Sequence, residues 1–373
     1  MMVLLTWLLW AALLAALAAG LWALYRTPPA VSLTRDLPPS AFQGARTPLA
    51  VHVQVRSRLP LRYHIEDAVP RTVIPDTQPV FSGELLGTRE HRLDTSLTLN
   101  ARGVYDWPAA TVRWADPLGL FWRSMSLEVP ARLEVFPGTH GLILPDLLRP
   151  LLSEGSLSRT VGLEDPISLR GAREYQTGDP PGRIHWRLSA RTGTLTVREL
   201  ERTAASSLTI YLDTTAGGQT FAESAVRLGA SLVREAMALD LPVAVASNDG
   251  LTAPGRGPEA LHSALLHLAR LQPQPGLPQI PPTRPGGNLM ILTALAGDAL
   301  VAQAMRARAT ASRVVIVAVP EGFYLEPGEK PRRQWAGAPD TIRELERRAG
   351  VLAGAGVLVY VLRGNQSVLR LGA

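Results

Sequence analysis

Residues 169–213 read LRGAREYQTGDPPGRIHWRLSARTGTLTVRELERTAASSLTIYLD, and they join a polar, arginine-rich segment to an uninterrupted apolar strand. In the first part Asp179-Pro180 carries a helix-start signal, because aspartate caps exposed backbone N–H groups and proline at the first helical position gives up no hydrogen bond. Gly178 permits the turn before it. Ile184 and Leu188 then share a face at i, i+4, with Trp186 and Ala190 beside them, and Thr192-Gly193 supplies the stop. Residues 195–200 alternate in an imperfect period of two and lead into the apolar run 208–213, so a strand pair entering a sheet is expected. Asp179, Trp186 and Ala190 are expected to hold this element together, with Trp186 buried. Arg173, Arg183 and Arg191 are the candidates to present charge to a partner, and with Tyr175, Asp179, His185 and Trp186 they make up the candidate interaction set.

Beyond Leu208 the pattern becomes regular. Strands are expected over 208–213, 242–247, 289–293, 313–319 and 357–362, and helices over 220–240, 258–271, 297–310 and 339–349. Continuous apolar strands between amphipathic helices imply a parallel sheet covered on both faces, hence a doubly wound α/β domain. The Pro-rich residues 272–287 interrupt that rhythm and read as a long extended surface loop, with a proline-recognition ligand as the alternative. A second loop carries Lys330, Arg332, Arg333 and Trp335 and reads as solvated charge.

In such a sheet the ligand crevice lies at the carboxyl ends of the strands. The first of these ends is Asp213-Thr214-Thr215-Ala216-Gly217, which resembles the D-x-S-x-S start of a von Willebrand factor type A domain. Asp213 matches the carboxylate and Thr215 replaces the first serine as a hydroxyl. Gly217 cannot replace the second, and Ala294 stands where a further acidic residue is expected. With so few oxygen donors for a hard cation, no metal ligand is assigned, and Asp213 is expected to bond local backbone N–H groups. A metal-dependent ligand-binding domain stays open as the second hypothesis.

Upstream, short alternating runs at 49–55, 61–65, 93–99, 104–107, 111–114, 127–129 and 133–136, separated by Pro and Gly, predict a small antiparallel β-sandwich over 31–137. Trp107, Trp114 and Trp122 read as core aromatics of that sandwich. Residues 138–169 form a leucine-rich connector. Residues 1–25 contain no charged side chain and are long enough to cross a hydrocarbon core, which reads as a single transmembrane anchor over 1–26. A cleaved signal peptide competes with that assignment, since Ala16-Leu17-Ala18 resembles a cleavage site, but no basic region precedes the apolar run. Arg26, Arg35 and Arg46 follow the span, so the positive-inside rule places the bulk of the chain in the cytoplasm.

Arg173-Glu174-Tyr175, Gly178-Asp179, Arg183-Ile184-His185-Trp186, Ser189-Ala190-Arg191 and Leu195-x-Val197-x-Glu199 together resemble the signature of the bacterial domain of unknown function 58 family. Arg102-Gly103-x-Tyr105, Asp116 to Phe121 and Val135-Phe136-Pro137 are similar to the segment that precedes it in that family. The sequence departs at Gly182, where the family commonly has a second basic residue, and in its single span, where family members usually carry two. The resemblance implies a protein partner, a MoxR-type AAA+ ATPase, and a link with cell-envelope or assembly processes.

The net charge of +6 does not point to nucleic acid: arginines are interspersed, Lys330 is the only lysine, and no basic run or interleaved aromatic platform occurs. The absence of cysteine excludes disulfides and thiolate metal sites. Walker A, H-E-x-x-H and G-x-S-x-G motifs are missing from the sequence, and no cofactor or small-molecule substrate is identified. Gly255-x-Gly257-x-x-Ala260 imitates a dinucleotide fingerprint, but it lies beyond its strand, and Pro258 explains it as a helix start. The expected protein is therefore an α+β multidomain chain: an anchor, a β-sandwich, and, over 170–373, the signature with a von Willebrand A-like α/β domain. It is expected to act as an interaction or scaffold module, with an enzyme using Asp179 and His185 as the third hypothesis.

Overall fold

The computed structural model describes residues 2–139, 164–176, 184–202, 207–319 and 340–361. Residues 140–163 of the connector, the positions of Asp179 and Arg183, and the loop with Lys330, Arg332, Arg333 and Trp335 lie outside them, while 164–169, expected to end the connector, already belong to a strand. The chain divides into two compact units, Met1–Phe136 and Pro137–Ala373.

The first unit opens with helix α1, Met2–Leu24, which has no charged residue in its first or last turn. Its residues 4–24 are long and apolar enough to cross a membrane. Strands β1 (Ala30–Asp36), β2 (Ser40–Phe42), β3 (Arg46–Glu66), β4 (Val73–Pro75), β5 (Val80–Leu99), β6 (Gly103–Asp106), β7 (Ala110–Ala115), β8 (Arg123–Leu127) and β9 (Arg132–Phe136) follow. β4-β5-β3-β7-β8, with β1 also on β3, form a curled antiparallel sheet, a half-barrel, and β2-β9-β6 form a second, three-stranded sheet. The expected all-antiparallel pairing fails at β2, which runs parallel to β9. Residues from both sheets, such as Val53 and Val135, share one core with Trp107 and Trp114.

The two runs expected at 49–55 and 61–65 are one strand, β3, bent by a bulge. Between the pairs Ser57↔Gly87 and Leu61↔Leu85, three residues of β3 face one of β5, so two residues are extra. An even insertion leaves the side-chain parity unchanged, and Leu49, Val51, Val53 and Val55 stay on the buried side with Leu61, Tyr63 and Ile65. Arg35 and Asp67 are buried as a pair, with Arg35 Nε 3.1 and 3.0 Å from the two carboxylate oxygens. Trp122 departs from the core assignment: it is exposed, and the Arg113 guanidinium lies over its ring at 5.4 Å.

In the second unit, β10 (Glu164–Glu174) and β11 (Thr196–Arg202) pair antiparallel, and α2 (Trp186–Thr192) leads into β11. The remaining elements are β12 (Leu208–Leu212), α3 (Gly218–Ala238), β13 (Val243–Ser247), β14 (Gly250–Leu251), α4 (Gly257–Arg270), β15 (Asn288–Thr293), α5 (Asp298–Ala307), β16 (Arg313–Ala318), α6 (Asp340–Gly354) and β17 (Val357–Val361). The sheet order is β14-β13-β12-β15-β16-β17, parallel except for the short edge strand β14. Every residue of β12, β13 and β15 is buried, because helices cover both faces. Tyr211, Leu289 and Ile291 pack with Leu300 of α5 and Ile342 of α6, while Leu212 lies against Gly229 of α3 near Leu268 of α4. Pro258 stands in the first turn of α4, as a helix start requires.

Candidate interaction site

The signature is built by backbone pairing first. Arg173 pairs with Val197 and Glu174 with Thr196, Tyr175 N–H donates to Leu195 O at 2.8 Å, and His185 N–H donates to Thr196 O at 2.8 Å. Ile184 forms a bridge to Val197, and both are buried. One buried hydroxyl then fixes the helix to the strand: Ser189 Oγ accepts from Thr196 N at 2.9 Å. Thr192 and Gly193 end the helix as expected, with Gly193 left-handed at φ 74° and its N–H donating to Ser189 O.

The start of that helix is a correction. It begins at Trp186, and His185 is the cap, its Nδ1 accepting from Leu188 N at 3.2 Å. The general-base role considered for His185 would compete with that bond. The expected burial of Trp186 is overturned as well: Trp186 is 64 % exposed, and Ala190, expected to help hold the element together, is exposed too. The side of α2 that docks is Ser189 with Ile184 before it, because the helix is too short to bury a full i, i+4 stripe. Arg173, Arg187 and Arg191 are exposed and Tyr175 is half-buried. Asp179 and Arg183 lie outside the described residues, so no bond between them and the rest of the signature is assigned.

The second position singled out by the sequence is the crevice where the chain crosses from one side of β12 to the other. Asp213 is 1 % exposed and its acceptors are occupied: Oδ1 takes Thr215 N–H at 3.1 Å and Thr215 Oγ1 at 2.6 Å, and Oδ2 takes Thr293 Oγ1 at 2.8 Å. The expectation that Asp213 bonds the local backbone holds, and Thr293 is a partner that sequence order could not supply. A Cβ on Gly217 would lie 2.5 Å from Ala294 Cβ, so these two positions close on each other. Among the described residues no group of three or more His, Asp or Glu side chains could hold a metal ion.

A third arrangement escaped sequence reasoning. Tyr211 Oη donates to Asn248 Oδ1 at 2.6 Å, and Gln279 N–H is 2.9 Å from Tyr211 Oη and 3.0 Å from Asn248 Oδ1. Burial pushes the Tyr211 phenol far above its ordinary range, so it stays a neutral donor. Gln274 N–H donates to Thr214 O at 2.9 Å, and Ile280 N–H donates to Gln303 Oε1 at 2.7 Å. The Pro-rich segment is thus an extended strap bonded to the sheet and to α5. Nearby, Ser247 Oγ lies 3.1 Å from His267 Nε2, and burial holds this imidazole below its usual range.

Taken together, the described residues define a class: a chain with one helix apolar enough to span a membrane, a curled β unit, and a doubly wound α/β unit preceded by an arginine-rich hairpin and helix. Residues 171–319 match the family model described as "Protein of unknown function DUF58". The match supports the resemblance carried by the signature, and the upstream motifs from Arg102 to Pro137 fall outside it. No curated protein matches the chain. Among solved structures, a protein of unknown function from Porphyromonas gingivalis W83 is similar at 13% identity and a TM-score of 0.23, over 30% of this chain and 54% of that one. The chain thus spans about half the length of that protein. The CARDB domain of a Pyrococcus furiosus protein is similar at 13% identity and a TM-score of 0.20, over 29% of this chain and 88% of that one. A beta-glucosidase from Listeria innocua is similar at 12% identity and a TM-score of 0.17, over 30% of this chain and 16% of that one. Likenesses this partial identify neither fold nor function.

Proposed function

We propose that the chain is a membrane-anchored scaffold or interaction protein, not an enzyme, whose bulk faces the cytoplasm and whose signature surface docks a protein partner. The partner implied by the family resemblance is a MoxR-type AAA+ ATPase. The observation that carries this proposal is the outward placement of Trp186 beside Arg187 and Arg191, on a helix whose inner side is locked by Ser189. An exposed tryptophan flanked by arginines is the composition of interface hot spots, and a rigid platform limits the entropy lost on binding. The cytoplasmic placement rests on Arg26 and Arg46 after the apolar helix. The von Willebrand A-like assignment of the α/β unit rests on its doubly wound strand order and on Asp213 and Thr215 at the first strand end.

The test is binding of a purified MoxR-type ATPase to the full chain and to its Trp186→Ala and Arg191→Ala variants. Both variants should keep their unfolding free energy to within about 0.5 kcal/mol, as exposed positions do. Trp186→Ala should weaken binding by about 2 kcal/mol or more. Unchanged binding in both variants would remove the signature from the interface.

A further inference from the structure

The last turn of α1 is fastened to the β unit. Leu21 packs on the β core, Tyr25 Oη donates to Pro60 O at 2.5 Å, and Trp114 Nε1 donates to Tyr25 O at 3.1 Å. Arg123 donates to Trp22 O at 3.2 Å, and its guanidinium lies 4.9 Å from the Trp22 ring centre. The corner of the β unit that receives the helix is made of the β3 bulge, the facing residues of β5 and the loop between β7 and β8. That corner exposes large apolar side chains: Leu86 at 71 %, Leu118 at 68 % and Leu120 at 61 %, with Trp122 also exposed. The loop carrying Leu118 and Leu120 is stiff, because the buried Asp116 carboxylate accepts from the N–H groups of Leu118, Leu120 and Phe121 at 2.8 to 2.9 Å. A cleft of about 710 Å³ beside the helix end is lined by Leu24, Arg56 and Arg58, both arginines being exposed. Glu84, which shares a smaller cavity with Leu86 and Pro117, is paired with Arg62 at 2.9 Å.

We propose that this corner is a bilayer-contact face that inserts Leu86, Leu118, Leu120 and Trp122 at the membrane boundary and binds anionic phospholipid headgroups through Arg56 and Arg58. The proposal rests on the assignment of α1 as a membrane span. A tryptophan in the last turn of such a span sits at the boundary between hydrocarbon and water, so groups touching Trp22 lie at headgroup depth. Arginine stems lie along apolar surface there while the guanidinium reaches phosphate, and exposed apolar residues gain by burial in the acyl boundary. Continuity with the helix selects the lipid surface over a protein: whatever covers this corner must lie alongside Leu24 at the point where the helix leaves the bilayer.

The sequence has no cysteine, so a single introduced cysteine can carry a fluorophore on the full chain. Leu118→Cys reports the corner. Thr77→Cys is the control, because Thr77 N–H donates to Thr95 Oγ1 and Thr95 pairs with Leu49, eight residues along β3 from Ser57, or about 26 Å at ~3.3 Å per residue. The labelled proteins are reconstituted in vesicles of phosphatidylcholine, with and without phosphatidylglycerol, containing a nitroxide-headgroup lipid as quencher. The expected result is loss of fluorescence from the Leu118→Cys label and none from the Thr77→Cys label, the loss being greater with phosphatidylglycerol. Arg56→Glu and Arg58→Glu should each lower the ratio of contacting to detached label about fivefold in the anionic vesicles. If the protein resists a carbonate wash yet the corner label is quenched no more than the control label, the contact face is overturned while the span stands. Quenching that ignores both lipid charge and the arginine variants overturns the headgroup assignment. Release by the carbonate wash overturns the span and this inference with it.

Discussion

β3 and β12 are both strands rich in aliphatic residues, yet they bury them in different rhythms. In β3 burial alternates along most of the strand, and in β12 every residue is buried. The difference is one of layers: the curled sheet of the first unit packs one face on a core and turns the other to solvent, whereas the parallel sheet carries helices on both faces. The charged groups follow the same division. The first unit buries the ion pair Arg35–Asp67, whereas the pairs Arg256–Asp240, Arg348–Asp298 and Arg348–Glu344 of the second unit are exposed.

Four measurements would break or sharpen that comparison. The largest effect is expected at Arg35: Arg35→Ala leaves Asp67 buried without its partner and should destabilise by about 3–5 kcal/mol in urea unfolding, whereas Arg92→Ala, from the exposed Arg92–Asp94 pair, should stay within about 1 kcal/mol. Equal effects would mean that the Arg35 pair is reached by water.

Next comes the rhythm itself. In β12 the adjacent substitutions Ile210→Ala and Tyr211→Ala should each cost about 2–5 kcal/mol, because opposite faces are both packed. In β3, Val53→Ala should destabilise clearly, while His52→Ala on the solvent side should remain within about 0.5 kcal/mol. A tolerant Tyr211→Ala would show that one face of the parallel sheet is open.

Gly217→Ser is smaller and tests the strand-end crevice. It restores a hydroxyl where the metal-binding pattern has its second serine, but Gly217 has φ 93° and its Cβ would meet Ala294 and Phe221 at 2.5 and 2.7 Å. The thermal midpoint should fall, by about 1–3 kcal/mol in free energy, and magnesium should not restore it. A magnesium-dependent recovery would instead mean that the crevice opens to hold a cation.

The smallest effect concerns pH. Burial lowers the pKa of His267 in the folded chain, while the unfolded chain takes up a proton near the ordinary pKa of about 6.5. The unfolded state then binds more protons as pH falls below about 6.5, so the contribution of His267 is full above that value and declines below it. Unfolding midpoints measured from pH 7.5 to 5 should fall less steeply in His267→Gln than in the parent. Identical slopes would remove His267 as a source of acid sensitivity.

Much of the α/β unit was legible because a periodicity is a local property. The continuous apolar runs at 208–213 and 289–293 and the helix start at Pro258 stand within a residue or so of the observed elements, and the Thr192-Gly193 stop is where the sequence puts it. The candidate site was legible as a segment and misjudged in orientation. Trp186 read as core because large aromatics fill cores, but its helix has seven residues and docks through Ser189, leaving the indole outside. The two extra residues within 58–60 made one bent strand look like two.

The sequence by itself determined the apolar span of α1, the two-sided burial of the parallel strands, the turn chemistry at Gly193 and Pro258, and the signature whose match runs over residues 171–319. Each is written in residues close together in the chain, where spacing and side-chain type suffice. Only the tertiary structure decided that Thr293 satisfies Asp213 from 80 residues away, that Tyr211 and Asn248 fasten the Pro-rich strap, and that Trp186 faces outward. Hydrogen-bond partners and exposure depend on which distant segments the packing brings within about 3 Å, and no local pattern encodes that proximity.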